Sequence, residues 1–153
     1  MKGFYLEPAE KLNENKCGFA SGLLCVVTID FLARIATGKE KVKREDFEKW
    51  LKDNIEEFND QLATKFYKDF RCGLVHEGHI KNCGQFSYES KNLAWSEGKV
   101  MIVNPRLLLE RIEKAFESYI NKIQIEDSAF QNFKNALNRD LKNDFELARK
   151  SIR

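Results

Sequence analysis

Histidine is scarce in this chain. Two occur among 153 residues, and both fall within FRCGLVHEGHIKNCGQF, Phe70 through Phe86. Prolines also number two and glycines eight, too few for a β-sandwich with its many tight turns. No charge of one sign dominates: 26 Lys and Arg stand against 24 Asp and Glu, a formal net charge of +2. A global field that would attract nucleic acid is therefore missing, and polyanion binding needs a local cationic patch. The one strongly apolar run, Gly18 to Ile29, meets Asp30 and then Arg34, short of the roughly 20 apolar residues a bilayer span needs. The opening MKGFYLEPAEKLNENK carries acidic residues and lacks the apolar stretch of a signal peptide. The four cysteines are irregularly spaced, so reduced thiols in a cytoplasm, with no membrane association, are the expectation. No repeat, low-complexity tract or linker divides residues 1–153, which reads as one domain.

What the chain does have is helical patterning. Hydrophobic residues make up 42% and charged residues 33%, a balance that suits helices with solvated outer faces. Cys17 to Thr37 is apolar on most sides, stops at Gly38, and is expected to be the central helix. Lys43 to Phe58 carries Phe47, Trp50, Leu51, Ile55 and Phe58 on one stripe. Asn59-Asp60 caps a helix with Leu62, Phe66, Phe70 and Leu74 inward, ending near Gly78. The period then shortens. Leu93 to Ser96 and Lys99 to Ile102 flank Glu97-Gly98, which predicts a β-hairpin inserted at about 85–103. Asn104-Pro105 restarts a helix whose apolar face is Leu108, Ile112, Ala115, Phe116, Tyr119 and Ile123. A last helix begins at Asp127-Ser128 with Phe130, Phe133, Leu137, Leu141, Phe145, Ala148 and Ile152 in a stripe expected to be mostly core. The fold class is all-α, an antiparallel bundle of about five helices with one small hairpin.

Cys72, His76, His79 and Cys83 invite a zinc reading, since zinc takes thiolates and imidazoles tetrahedrally. Their C-x3-H-x2-H-x3-C spacing departs from modules whose ligands come as two close pairs on separate elements. Free cysteine is commonly a small buried hydrophobe, so the zinc reading ranks last, and no metal or other cofactor is expected.

Arg71 and His76 form R-x4-H, and such a pair can act on a phosphodiester. Histidine exchanges a proton near neutrality, while arginine stays charged and grips phosphate in bidentate fashion. Together they suffice for metal-free RNA cleavage by the ribose 2′-hydroxyl. On a regular helix residues five apart point about 140° apart, so one helix is an awkward platform. Two copies of the helix across a dimer axis relieve this, with Gly73 permitting close approach. The plainer reading pairs Arg71 with Asp69 or Glu77 and makes His76 a last-turn cation.

The segment FYKDFRCGLVHEG, Phe66 through Gly78, within a helical bundle resembles the HEPN superfamily, small α-helical domains with R-x4–6-H near a helix end. That resemblance implies a homodimer through the motif helix and a metal-independent endoribonuclease of stress response or defence, with an antitoxin-like protein as a partner. Arg71 and His76 would be its catalytic residues. Cys72 departs from the polar residue that commonly follows the arginine in active members, and some members are non-catalytic. A dimeric scaffold or partner-binding module is accordingly the alternative. Near the motif, Lys68 and Lys81 are the cations expected to guide an RNA backbone. The terminal cations Lys142, Arg149, Lys150 and Arg153 alternate with acids and read as a solvated face.

Overall fold

The computed structural model describes residues 1–151. Ile152 and Arg153, the ends of the apolar stripe and of the terminal cations, lie outside the described residues. A 3₁₀ turn, Lys2–Phe4, leads into α1 (Leu6–Glu14), α2 (Gly18–Thr37), α3 (Arg44–Asn54) and α4 (Asp60–Phe66). From α4 the chain runs on into two π-helical turns, Tyr67–Arg71 and Gly73–Glu77. Strands β1 (Gln85–Phe86), β2 (Ala94–Glu97) and β3 (Val100–Val103) precede α5 (Pro105–Ile125) and α6 (Asp127–Ser151). The protein is mainly α with a small β insert, as its periodicity requires.

Four local features depart from the sequence reading, each for a physical reason. The first is α1, which the pattern does not announce. Pro8 stands third in that helix, inside the first turn where backbone N–H groups have no helical partner anyway. Secondly, α3 stops at Asn54 rather than Phe58: the Asn54 side chain donates to the Trp50 carbonyl (2.8 Å) and Ile55 turns extended. A turn with Phe58 N–H donating to Ile55 C=O (3.0 Å) still buries both apolar side chains. Thirdly, the hairpin turn is Gly98-Lys99, because Glu97 pairs with Val100. Gly98, with φ +56, takes the first turn position that a type II′ turn reserves for glycine. Lastly, the insert is a three-stranded sheet of order β1-β3-β2, with β1 parallel to β3.

α2 is the hub. Val26, Ile29, Leu32 and Ala33 are fully buried, and Gly38 ends the helix in the left-handed conformation. At 20 residues and mean hydropathy 1.8 it is longer than the apolar run first read, and it meets the length and apolarity of a membrane span. Half of that stretch is buried inside the protein, and both its charges, Asp30 and Arg34, are paired with other elements.

A row of phenylalanines fixes the motif helix against this hub. Phe66 contacts Phe58 edge-on (5.2 Å between centroids) and stacks on Phe70 (5.1 Å), which in turn meets Phe86 of β1 edge-on (5.1 Å). Burying each such ring contributes about 1.5–3 kcal/mol. Gly22 makes room for Phe86, since a Cβ there would fall 2.2 Å from the ring.

α6 does not bury the stripe expected of it. Among its described residues Ala129 and Ala136 are buried, Phe133 is half-buried, and Phe130, Leu137 and Phe145 stay exposed. The small side chains let the helix approach α2, where polar contacts hold it. Asn132 donates to the Ala36 carbonyl (3.0 Å), and Arg139 to those of Gly38 and Lys39 (3.0 and 2.8 Å). Asp140 accepts from both terminal guanidinium nitrogens of Arg34, Nη1 and Nη2 (2.7 and 2.6 Å). Contacts of this kind satisfy carbonyls that a helix end leaves open.

The hydrogen bonds from Arg34 hold the Asp140 carboxyl below its ordinary range. Its contribution is therefore complete above about pH 4 and is lost as pH falls through its lowered value. The protection of α6 amides, taken relative to their intrinsic exchange rates, is expected to fall on acidification before that of α2 amides does. Asp140→Asn should show fast α6 exchange already at neutral pH; an identical pH response in both helices contradicts this attachment.

Candidate functional site

The helix that carries the motif starts conventionally, with Asn59 Oδ1 accepting from Leu62 N–H (2.9 Å). Beyond Phe66 it widens. Cys72 N–H donates to Tyr67 C=O and Gly78 N–H to Gly73 C=O, both five residues back. An i→i+5 turn stacks residues five apart, and such turns are rare and concentrate at functional sites. The 140° separation expected of Arg71 and His76 is thereby removed. Arg71 Nη1 stands 2.8 Å from His76 Nε2 within one chain. The geometric need for a second copy disappears with it. Gly73, read as a close-approach point between helices, is covered by the chain's own loop: a Cβ there would meet the His79 carbonyl at 2.3 Å.

Neither Asp69 nor Glu77 is the partner of Arg71. Asp30, from the middle of α2, accepts from Arg71 Nε (3.1 Å) and Nη2 (3.2 Å). Burial opposes the guanidinium charge, but the hydrogen bonds and charge of Asp30 outweigh it and push the pKa up. The Tyr67 ring lies 5.6 Å beneath the guanidinium carbon, in cation–π range. Burial, and then the neighbouring Cys72, push the Tyr67 phenol up.

Because arginine only donates, His76 Nε2 accepts in this contact, which places the imidazole proton on Nδ1. Three of the five guanidinium N–H groups serve Asp30 and His76, leaving two for another acceptor. His76 is exposed and the Arg71 side chain is 14% exposed, so solvent reaches the pair. Arginine, lone-pair nitrogen and free donors together form a site able to hold a phosphate oxygen beside a base.

Sequence reasoning missed Asp30, which it treated only as the charge that ends the apolar run. Its signal was a carboxylate inside the most apolar run of the chain, where a charge must find a partner. Other expected residues are placed as follows. Lys68 is exposed on the motif helix, and Lys81 is ion-paired with Glu77. His79 reaches Glu77, with Nδ1 3.2 Å from its carbonyl oxygen. Cys83 is exposed and Cys72 half-buried. The C-x3-H-x2-H-x3-C set does not converge, and among the described residues no three His, Cys, Asp or Glu side chains form a metal-holding group.

No protein-family model, curated protein or solved structure matches this chain.

Asp30→Ala strips two charged hydrogen bonds from a largely buried guanidinium and is expected to lower stability by about 1.5–3 kcal/mol. Urea denaturation measures this. Replacing Arg71 by Met in the same variant should recover part of the loss, because the uncompensated charge is then gone.

Proposed function

We propose that the protein is a HEPN-like RNA-binding protein and a metal-independent endoribonuclease of stress response or defence. The observation that carries the reading is the contact of Arg71 Nη1 with His76 Nε2, with Asp30 behind the arginine. A base and a phosphate-gripping donor thus stand side by side on one solvent-reached surface. Arg71 holds the scissile phosphate with its free N–H groups. As the ribose 2′-hydroxyl enters, it displaces Arg71 Nη1 from His76 Nε2, whose one lone pair then takes the hydroxyl proton as O2′ bonds to phosphorus. The phosphorus–O5′ bond breaks, and the leaving oxygen takes up a proton from water or from His76. The products are a 2′,3′-cyclic phosphate and a 5′-hydroxyl. Guanidinium charge stabilises the equatorial oxygens, an effect worth about 10²–10³ in rate for a single donor.

Lys68 and Lys81 follow the RNA backbone in this reading, Lys81 after leaving Glu77. A homodimer through the motif helix belongs to it as well. It is supported by Val75, an apolar side chain 42% exposed on that helix. Sedimentation of the wild type beside Val75→Glu tests the pairing: a dimer turned monomeric by the glutamate supports it, and a wild-type monomer removes it.

The second reading is a non-catalytic module on the same fold. What favours it is Cys72, which lies beside Tyr67 and offers no amide to a phosphate or ribose. Purified protein incubated with RNA in excess chelator decides between the two. Cleavage leaving a cyclic phosphate, abolished in His76→Ala, is the expected result. Cleavage unchanged in that variant removes the assignment, and no cleavage at all favours the binding module.

A further inference from the structure

The loop after the motif helix returns and grips the helix on both sides of Arg71. Lys81 N–H donates to the Asp69 carbonyl (3.0 Å), and His79 N–H to the Gly73 carbonyl (3.3 Å). Asn82 Nδ2 donates to Asp69 Oδ1 (2.7 Å). Both gripped residues lie two positions from Arg71, one before and one after. Asp69 is only 2% exposed, and its Oδ2 is buried with no hydrogen bond, facing the Lys65 ammonium at 3.9 Å. Asn82 and Cys83 sit consecutively at positive φ, +51 and +57. Asparagine is favoured in that region and cysteine is not, so the surrounding contacts help to hold the loop there.

We propose that Asp69 and Asn82 are positioning residues for the Arg71–His76 pair. Their side-chain hydrogen bond clasps the 78–84 loop onto the π-helical turns and maintains the winding that stacks His76 against Arg71. A π turn is disfavoured relative to an α turn and persists where outside contacts determine it. Here the outside contacts are donors from the loop to carbonyls within the widened turns. Releasing Asn82 from Asp69 loosens those donors, lets the helix return toward α-winding, and swings His76 away from the guanidinium. The kinetic consequence rests on the ribonuclease reading, whereas the effect on His76 does not.

The test uses Asn82→Gly, which keeps the left-handed backbone and removes the donor, Asn82→Asp, which sets a carboxylate against Asp69, and the exchange Asp69→Asn with Asn82→Asp, which restores one amide-to-carboxylate bond in reverse. With only two histidines, the ring ¹⁵N signals of His76 are assigned by comparison with His79→Gln. In mildly alkaline buffer the wild type is expected to show a fixed Nδ1–H tautomer with Nε2 unprotonated. Both single variants should shift toward averaged tautomer signals, and the exchange should return them toward wild type. On RNA, kcat should fall by about 100-fold in the single variants, as for a misplacement of roughly 1 Å, and recover in the exchange. His76 signals unchanged in folded Asn82→Gly overturn the proposal, and so does an exchange that fails to restore them. A wild type that never cleaves RNA removes the ribonuclease reading and leaves the NMR arm to decide the clasp.

Discussion

The bidentate pair between Asp30 and Arg71 is the interaction on which the motif-bearing end of this molecule depends. Each partner sits where its charge is costly, one midway along the most apolar helix and one on a turn packed against it. Leaving either charge without the other is costly, so the pair favours one register of the two helices relative to each other. That register decides which side of the motif helix is open to solvent. Of the guanidinium, only the part that Asp30 does not occupy is left to face His76 and the exterior.

Around that pair the core supplies rigidity and the loops supply precision. The phenylalanine row from Phe58 through Phe66 and Phe70 to Phe86 fixes the residue immediately before Arg71. Phe86 belongs to the sheet, so the β insert is part of the support for the motif. Lys65 ties the two again, reaching both Asp69 and the Gly98 carbonyl at the tip of the hairpin. An element that looked like an addition to a bundle is thus a brace for the motif helix.

Much of this was legible from residue order alone. Asn59, Asn104-Pro105 and Gly38 mark helix ends by chemistry that acts over a few residues, and the structure places helix ends beside each. Arg71 and His76 were legible as a pair, but their meeting was not. Ideal α geometry forbids it, and the widened turns depend on contacts from a loop that no period announces. Asp30 was hidden because its partner lies 41 residues away. The α6 stripe misled for another reason: helical spacing shows which residues share a face, and does not show whether anything covers that face.

The widened turns also change what the motif's spacing means. On an ordinary α-helix, residues four apart share a face, and a pair separated by three residues would meet there unaided. Here four residues separate the pair, and the turn has expanded to absorb the additional one. Cys72, the residue between the two π turns, is the local surplus. Spacing and winding are therefore two routes to the same geometry: deleting one residue between Arg71 and His76 would set the two four apart, where a regular helix brings them to one face with no widened turn.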